Sequence, residues 1–494
     1  MISTALRYIT DFYENAIFFY CGILFLFYIL LAVLSIVSIR RSRWKEKIRA
    51  QQMLVASPLT PGISVIAPAY NEGVTIIPNV RSLLALNYPR FEVVVVNDGS
   101  KDDTLEQLIR EFDLVEVDFF YRQQVPCQHI KRFFKSASSA YSKLLVVDKV
   151  NGKSKADAVN AGINAASFDY FLNTDVDCIL SPDTLLRLVK PFMDDPVRVI
   201  ATGAPLRAAN SCVVEAGVIK EIKVPKAILP RFQEMEYIRS YLLGKMGWTS
   251  INAIPNVSGG LGLFDKEIVV KAGGYDPASF GEDMDITVRI CMYMCEQNLP
   301  YRVHYIPETL CWTEVPATLK IFTRQRVRWA RGLFQIFVKH RKVLFNPKYR
   351  KIGMIVFPYN FFFELLAPLI EFAGITYYIY IVVAHLINWD YALILLVFTY
   401  TFSILITSMS MLWDQLIFRY YGSWKEVFRL CIMSLAEPFV YHPMVLFCAV
   451  KGYFNQVTGK QHTWGNMQRQ GFNQAPAAQH NVVKSQVNAS NEKI

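Results

Sequence analysis

Two aspartates one residue apart close an apolar run in "YFLNTDVDCILSP", residues 170–182. Side chains at i and i+2 of an extended segment share a face. The carboxylates of Asp175 and Asp177 then lie roughly 6 Å apart and repel by about 3 kcal/mol at an effective dielectric near 20. A hard divalent cation turns that cost into a site. Paired oxygen ligands suit Mg²⁺ or Mn²⁺ held jointly by protein and substrate phosphates, and such an ion offsets charge on a nucleoside diphosphate leaving group. The plainer alternative is an Asx turn ahead of "SP". D-x-D alone is a weak pattern.

Five further stretches carry groups of the same kind. "PAYNE" (Pro68–Glu72) and "NDGSKDDT" (Asn97–Thr104) each follow a strand-like run. An acid there, such as Asp98, can accept hydrogen bonds from a base or ribose, or can merely cap the next helix. "VNGKSKADAVNAGINAA" (Val150–Ala166) opens a helix with Lys153, Lys155 and Asp157. A lysine in that turn can meet a diphosphate, position an acid, or stand in solvent. "SFGEDMDITVRI" (Ser279–Ile290) puts Glu282, Asp283 and Asp285 at a helix start, where acids gain from the helix dipole and one can act as general base toward an attacking hydroxyl. "TRQRVRWARG" (Thr323–Gly332) packs four arginines around Trp329. Arginine suits phosphate and tryptophan a sugar face. The same stretch also reads as a basic helix on an anionic membrane.

These groups need a scaffold, and the chain alternates to supply one. Between Pro61 and Pro316, β-rich runs such as "ISVIAPAY", "FEVVVVNDGS" and "KLLVVD" alternate with helical stretches. That predicts an α/β domain with a mostly parallel sheet, whose ligands lie beyond the C-terminal strand ends. On either side the chain turns apolar. Ala16–Ile39 carries no charge and is long enough to cross a bilayer. "RRSRWKEKIR" follows it, so the positive-inside rule puts the 61–316 domain in the cytoplasm. Residues 317–346 read as an interfacial amphipathic helix. Residues 347–453 read as two to three membrane helices, with Tyr391–Trp413 a clean crossing and Leu430–Val450 a re-entrant hairpin around Pro438 and Pro443. Residues 1–15 form an N-terminal segment, 40–60 a basic linker, and 454–494 a cytoplasmic tail with a disordered end.

Composition agrees. The 494 residues are 53% hydrophobic and 19% charged, with a formal net charge of +11. That is too apolar for an ordinary soluble enzyme and fits a membrane protein whose basic groups face lipid headgroups or an anionic substrate. Nine cysteines show no repeated short spacing, and Cys291 and Cys295 lack partners for zinc. A reducing compartment suits them.

With these motifs in this order between membrane segments, the chain resembles the family 2 membrane glycosyltransferases, the group of cellulose, chitin, hyaluronan and poly-N-acetylglucosamine synthases. The likeness spans roughly residues 60–470. It implies a GT-A fold, a nucleotide-sugar donor, most often a UDP-sugar, and a polysaccharide or lipid-linked acceptor at the inner membrane. It leaves room for membrane lipids and accessory export subunits as partners, and no nucleic acid is expected. By resemblance Tyr70, Glu72 and Asp98 bind the uridine, and Asp175 and Asp177 the metal. Asp283 is the general base in a G-E-D sequence, beside Glu282 on the acceptor side. The Q-x-x-R-W motif falls on Gln325, Arg328 and Trp329, with Arg328 on the diphosphate and Gln325 and Trp329 at the acceptor. Where relatives often read N-G-G-K-A-D this chain reads "NGKSKAD", which makes Lys155 the donor-binding lysine. "WGNMQRQGF" (Trp464–Phe472) is similar to a tail segment of the group. The resemblance implies inverting transfer to a growing polysaccharide and leaves room for coupling to export. Single transfer to a lipid carrier is the alternative. A transporter with a nucleotide-binding domain would need buried charge along several spans, and here Glu364 and Glu371, seven apart, are the main ones.

Overall fold

The computed structural model describes residues 2–45, 60–215 and 217–460, for 2–13 and 43–45 the backbone alone. The basic linker beyond Lys45, the Trp464–Phe472 stretch and the expected disordered end lie outside the described residues.

The strands are β1 (Ile63–Ala69), β2 (Phe91–Asn97), β3 (Leu114–Val117), β4 (Ile130–Ser136), β5 (Leu144–Lys149), β6 (Tyr170–Thr174), β7 (Ile179–Leu180), β8 (Val199–Gly203), β9 (Leu206–Ala208), β10 (Val213–Glu215), β11 (Val218–Glu221), β12 (Leu261–Asp265), β13 (Arg302–Tyr305) and β14 (Cys311–Thr313). Nine of them form one sheet in the order β13-β8-β12-β6-β1-β2-β5-β4-β3. β1, β2, β5 and β6 pair in parallel. Only β4 and β12 run against the rest, so the expected mostly parallel α/β sheet is present. Alternate residues explain its burial on both faces. Ile63, Val65 and Ala67 of β1 join one core, with Val93 and Val95 of β2. Ile66, Val94 and Val96 join the other. Strands covered on both sides read as near-continuous apolar runs, which is what "FEVVVVN" is. A smaller sheet, β7-β14-β9, and the β10–β11 hairpin flank it.

The helices that bear on the site are α1 (Ile2–Lys45), α2 (Lys155–Ala165), α3 (Ile228–Arg239), α4 (Glu282–Glu296), α5 (Leu319–Lys339), α6 (Ala367–Val383), α7 (Trp389–Phe418), α8 (Trp424–Ala436) and α9 (His442–Val457). Among the described residues four helical runs are long and apolar enough to cross a membrane: Glu14–Ser42, Ile352–Val383, Trp389–Phe418 and Trp424–Val457. Where the sequence reading expects a re-entrant hairpin, the structure has one helical run. A π-turn at Glu437–Tyr441 joins α8 to α9 and absorbs Pro438, whose missing N–H and ring would otherwise break the ladder.

Buried ion pairs tie the α/β domain to these helices. Arg207 of β9 meets Glu234 of α3 and Asp414 of α7. Arg239 meets Glu437 at 2.8 Å. The Arg207 and Arg239 charges need partners of good geometry at this depth, and here they come from different elements, which fixes how the elements register. Glu371 of α6 pairs with His442 of α9 at 2.7 Å in a more exposed contact between two membrane-length helices.

Candidate active site

The C-terminal ends of β1, β2, β5 and β6 deliver Tyr70–Glu72, Asp98, Lys149 and Asp175–Asp177 to one edge of the sheet. β12 is antiparallel to β6, with Leu261 opposite Thr174, so the residues just before it arrive at that same edge. These are Gly259 and Gly260, from "SGG", and the site is built around them.

Gly259 shows the convergence. A methyl group at its α-carbon would lie 3.6 Å from Asp283 Cβ, 3.6 Å from Lys155 Nζ and 3.7 Å from Glu282 Oε1. Its carbonyl accepts from Lys155 Nζ at 2.7 Å and its amide donates to Asp283 Oδ2 at 3.3 Å. A methyl on Gly260 would be 3.6 Å from both Asp175 Oδ2 and Cys178 Sγ. Lys155 also forms an ion pair with Asp175. Lys155, Asp175, Glu282 and Asp283 therefore share one small volume, though they come from α2, the loop after β6 and the start of α4.

Their charges are balanced by contact. Burial opposes the Lys155 ammonium, but the carboxylates of Asp175 and Glu282 hold its pKa above the usual lysine value. Burial pushes Glu282 up, and the Asp283 charge adds to this against the pull of Arg328 and Lys155. Arg328 reaches Glu282 at 3.8 Å and donates to the Phe280 carbonyl at 3.3 Å. Asp283 Oδ2 accepts from Asn256 Nδ2 at 3.2 Å, while Oδ1 accepts from the Met284 amide at 2.8 Å. Behind Asn256 stands Lys245, whose Nζ donates to the Asn256 carbonyl and side-chain oxygen, each at 2.7 Å. Burial drives the Lys245 ammonium down to about 8, with Asp283 opposing.

Asp98 belongs to an adjoining cluster. Its Oδ1 accepts from Lys149 Nζ and from the Gly152 amide at 3.0 Å. Lys149, wholly buried, also pairs with Asp157 in the first turn of α2. One lysine thus locks the end of β2 to the helix that starts with Lys155. Burial raises the Asp98 carboxyl above its usual range, against the opposing bonds from Lys149 and Gly152. Half-buried Tyr70 and Glu72 sit alongside. Asp98 N donates to the Ala69 carbonyl at 2.9 Å, and Glu72 accepts from Thr75 Oγ1 at 3.1 Å.

Asp175, Asp177 and Cys178 offer ligand atoms within 4.8 Å of one another, with Asp177 and Cys178 buried. Two carboxylates at that separation fit a hard divalent cation.

On α5, Gln325, Arg328 and Trp329 are i, i+3 and i+4 and share a face. Trp329 is 38% exposed, and Gln325 Oε1 is buried with no hydrogen-bond partner among the described residues. The arginines do not all gather round the tryptophan, as the sequence suggests. Arg326 lies over the ring at 4.5 Å but is turned inward, with both Nη atoms on Glu236 at 2.6 Å. Arg331 donates to Gln456 and covers Phe280. A helix face admits only some of four closely spaced side chains. Asp285 likewise leaves the site: it is fully buried against Arg289, Lys339 and His340.

Lys149, Lys245, Asn256 and Cys178 escape the sequence reading. Lys149 had a signal, since a lysine ends the apolar run "LLVVDK". The double glycine ahead of the β12 run was another. Lys245 and Asn256 carried none.

A sequence model of the family described as "Glycosyltransferase like family 2" matches residues 61–332, more than half of the chain. Among curated proteins, the poly-beta-1,6-N-acetyl-D-glucosamine synthase of Staphylococcus aureus (strain COL) is 29% identical over 280 residues, 56% of each chain. The chain thus spans 56% of the length of that relative. The protein of the same name from Staphylococcus epidermidis is 29% identical over 344 residues, 69% of each chain. Among solved structures, a mannosyltransferase from Pyrobaculum calidifontis in complex with GDP-Man and Mn²⁺ is 17% identical, covering 89% of this chain and all of that one, with a TM-score of 0.48.

Proposed function

We propose that this chain, which belongs to glycosyltransferase family 2 and has its GT-A fold, moves a sugar from a UDP-sugar to a hydroxyl of a growing polysaccharide, with inversion. What carries the reading is the meeting at Gly259 of Lys155 and Asp175 with an acid pair, Glu282 and Asp283. A transferase needs groups for a donor diphosphate and a base within one sugar's reach of each other, and these two pairs suit those two tasks.

Tyr70, Glu72 and Asp98 would hold the nucleoside, Asp98 through Oδ2, since Lys149 and Gly152 occupy Oδ1. Asp175 and Asp177 would hold Mg²⁺ or Mn²⁺, which when bound neutralises charge on the diphosphate. Asp283 takes the proton of the acceptor hydroxyl, whose oxygen bonds to the anomeric carbon from the face opposite the nucleotide. The bond to the diphosphate oxygen breaks, and its electron pair stays on the diphosphate beside Lys155 and Arg328. Asn256 and Gly259 fix the Asp283 carboxylate through their donors. Gln325 and Trp329 would seat the acceptor sugar. The name of the curated relatives makes N-acetylglucosamine the first sugar to test. Helices long and apolar enough to cross a membrane would keep the product beside a bilayer, which suits a polymer bound for export.

The test is UDP release and product length with a panel of radiolabelled UDP-sugars, with and without EDTA. Asp283→Asn should abolish transfer while UDP binding, measured by calorimetry, stays within about threefold. Retained turnover would refute the base. A product of one sugar on lipid, rather than a polymer, would favour single transfer.

A further inference from the structure

Away from the acids, a cavity of about 710 Å³ opens between β7, the β10–β11 hairpin, β14 and the Tyr420–Ser423 link that joins α7 to α8. Three cations line it: Lys220 from the hairpin, and Lys425 and Arg429 from the first turns of α8. Two acids share the wall, but Glu221 is already paired with Lys223 at 2.7 Å, which leaves Glu426 against three positive side chains. Trp312, on the same wall, is 6% exposed, and its buried indole Nε1 has no hydrogen-bond acceptor among the described residues. A buried indole N–H normally finds an acceptor.

The position of this cavity selects its ligand. The link it touches lies between two of the membrane-length helices, Trp389–Phe418 and Trp424–Val457, so the cavity sits where both leave the apolar zone. Lys425 and Arg429 are i and i+4 and form one stripe of α8. Trp424 and Phe428, 58% and 65% exposed, form the adjacent stripe and continue through Ile432 and Leu435. A ligand that satisfies both stripes carries a negative head at the level of the cations and apolar chains along the aromatics.

We infer that the cavity binds the phosphate headgroup of an anionic phospholipid, held by Lys220, Lys425 and Arg429, with its acyl chains along Trp424 and Phe428. The site is independent of the sugar-transfer chemistry and would couple the α/β domain to the charge of the surrounding leaflet.

The experiment is native mass spectrometry of the full chain, purified and exchanged against equal amounts of dioleoyl phosphatidylglycerol and dioleoyl phosphatidylcholine. The wild type should retain phosphatidylglycerol preferentially. Removal of each cation should lower that preference about fivefold, so Lys220→Gln and Arg429→Gln are each read alone and then together. Trp312→Phe, which removes only the N–H donor and some ring area, should also weaken retention. Lys348→Gln, an exposed cation outside the cavity, should not. Unchanged preference in both Lys220→Gln and Arg429→Gln would overturn the assignment. So would equal losses in Lys348→Gln, which would mean diffuse charge. Displacement of the lipid by millimolar inorganic phosphate would show a site for a free anion and refute the lipid.

Discussion

Replacing Gly332 with alanine tests the site from outside it. Gly332 lies on α5, and a Cβ there would meet Gly281 N at 2.7 Å, Phe280 C at 2.9 Å and Gly281 Cα at 3.0 Å. All three atoms are backbone and cannot rotate away. To reach ordinary contact at 3.4 Å, the Phe280–Gly281 segment must move off α5 by about 0.7 Å. Overpacking of that kind costs about 1–3 kcal/mol, and the better helix propensity of alanine returns about 1 kcal/mol. The net loss of stability is therefore small, about 0–2 kcal/mol. Function should suffer far more. Gly281 immediately precedes Glu282 and Asp283, and the Phe280 carbonyl accepts from Arg328. A misplacement near 1 Å can cost about 10²-fold, so the rate should fall by tens of fold while UDP affinity holds. Radiolabel transfer gives the rate, calorimetry the UDP affinity and thermal unfolding the stability. Wild-type turnover in Gly332→Ala would refute the claim that this contact sets the base. Loss of UDP affinity in proportion to the rate would mean general damage instead.

Three other perturbations separate supporting residues from reacting ones. Lys149→Met strands Asp98 and Asp157 as buried carboxylates without their shared cation, so stability should fall by about 3–5 kcal/mol and UDP binding should weaken, both readable in one thermal titration with UDP. Asp285 is held well below the usual carboxylate range: burial opposes this, but the bond to His340 and the charges of Arg289 and Lys339 prevail. Its contribution is thus present above the unfolded aspartate pKa and lost as pH falls through the lower folded one. Asp285→Asn should cut stability by about 3–5 kcal/mol at pH 7 and flatten the acid end of a plot of Tm against pH. For Lys245 the slope has the same sign in a more alkaline window, because burial lowers its pKa to about 8. The folded chain then sheds a proton that the unfolded chain keeps, so stability rises with pH between about 8 and the ordinary lysine value. Lys245→Met should remove that rise, and the same Tm series will show it.

Much of this protein is legible in the order of its residues. Runs such as "FEVVVVN" fit a strand covered on both faces, and acids placed just after such runs must emerge together at one sheet edge, because parallel strands end on the same side. The shared edge of Asp98, Asp175 and Asp177 follows from that rule, and the long apolar helices are legible from run length and hydropathy. Tertiary structure decided the rest. β12 is remote in sequence and inserts antiparallel between β6 and β8, and only that pairing brings Gly259 and Gly260 to the acids. The fates of neighbouring charges on one helix are likewise set by what lies across from each face. Arg326 meets Glu236 inside while Arg328, two residues on, meets Glu282 at the site. Local spacing determines which way side chains point relative to one another. What they point at depends on contacts between segments far apart in the chain, and periodicity carries no record of those.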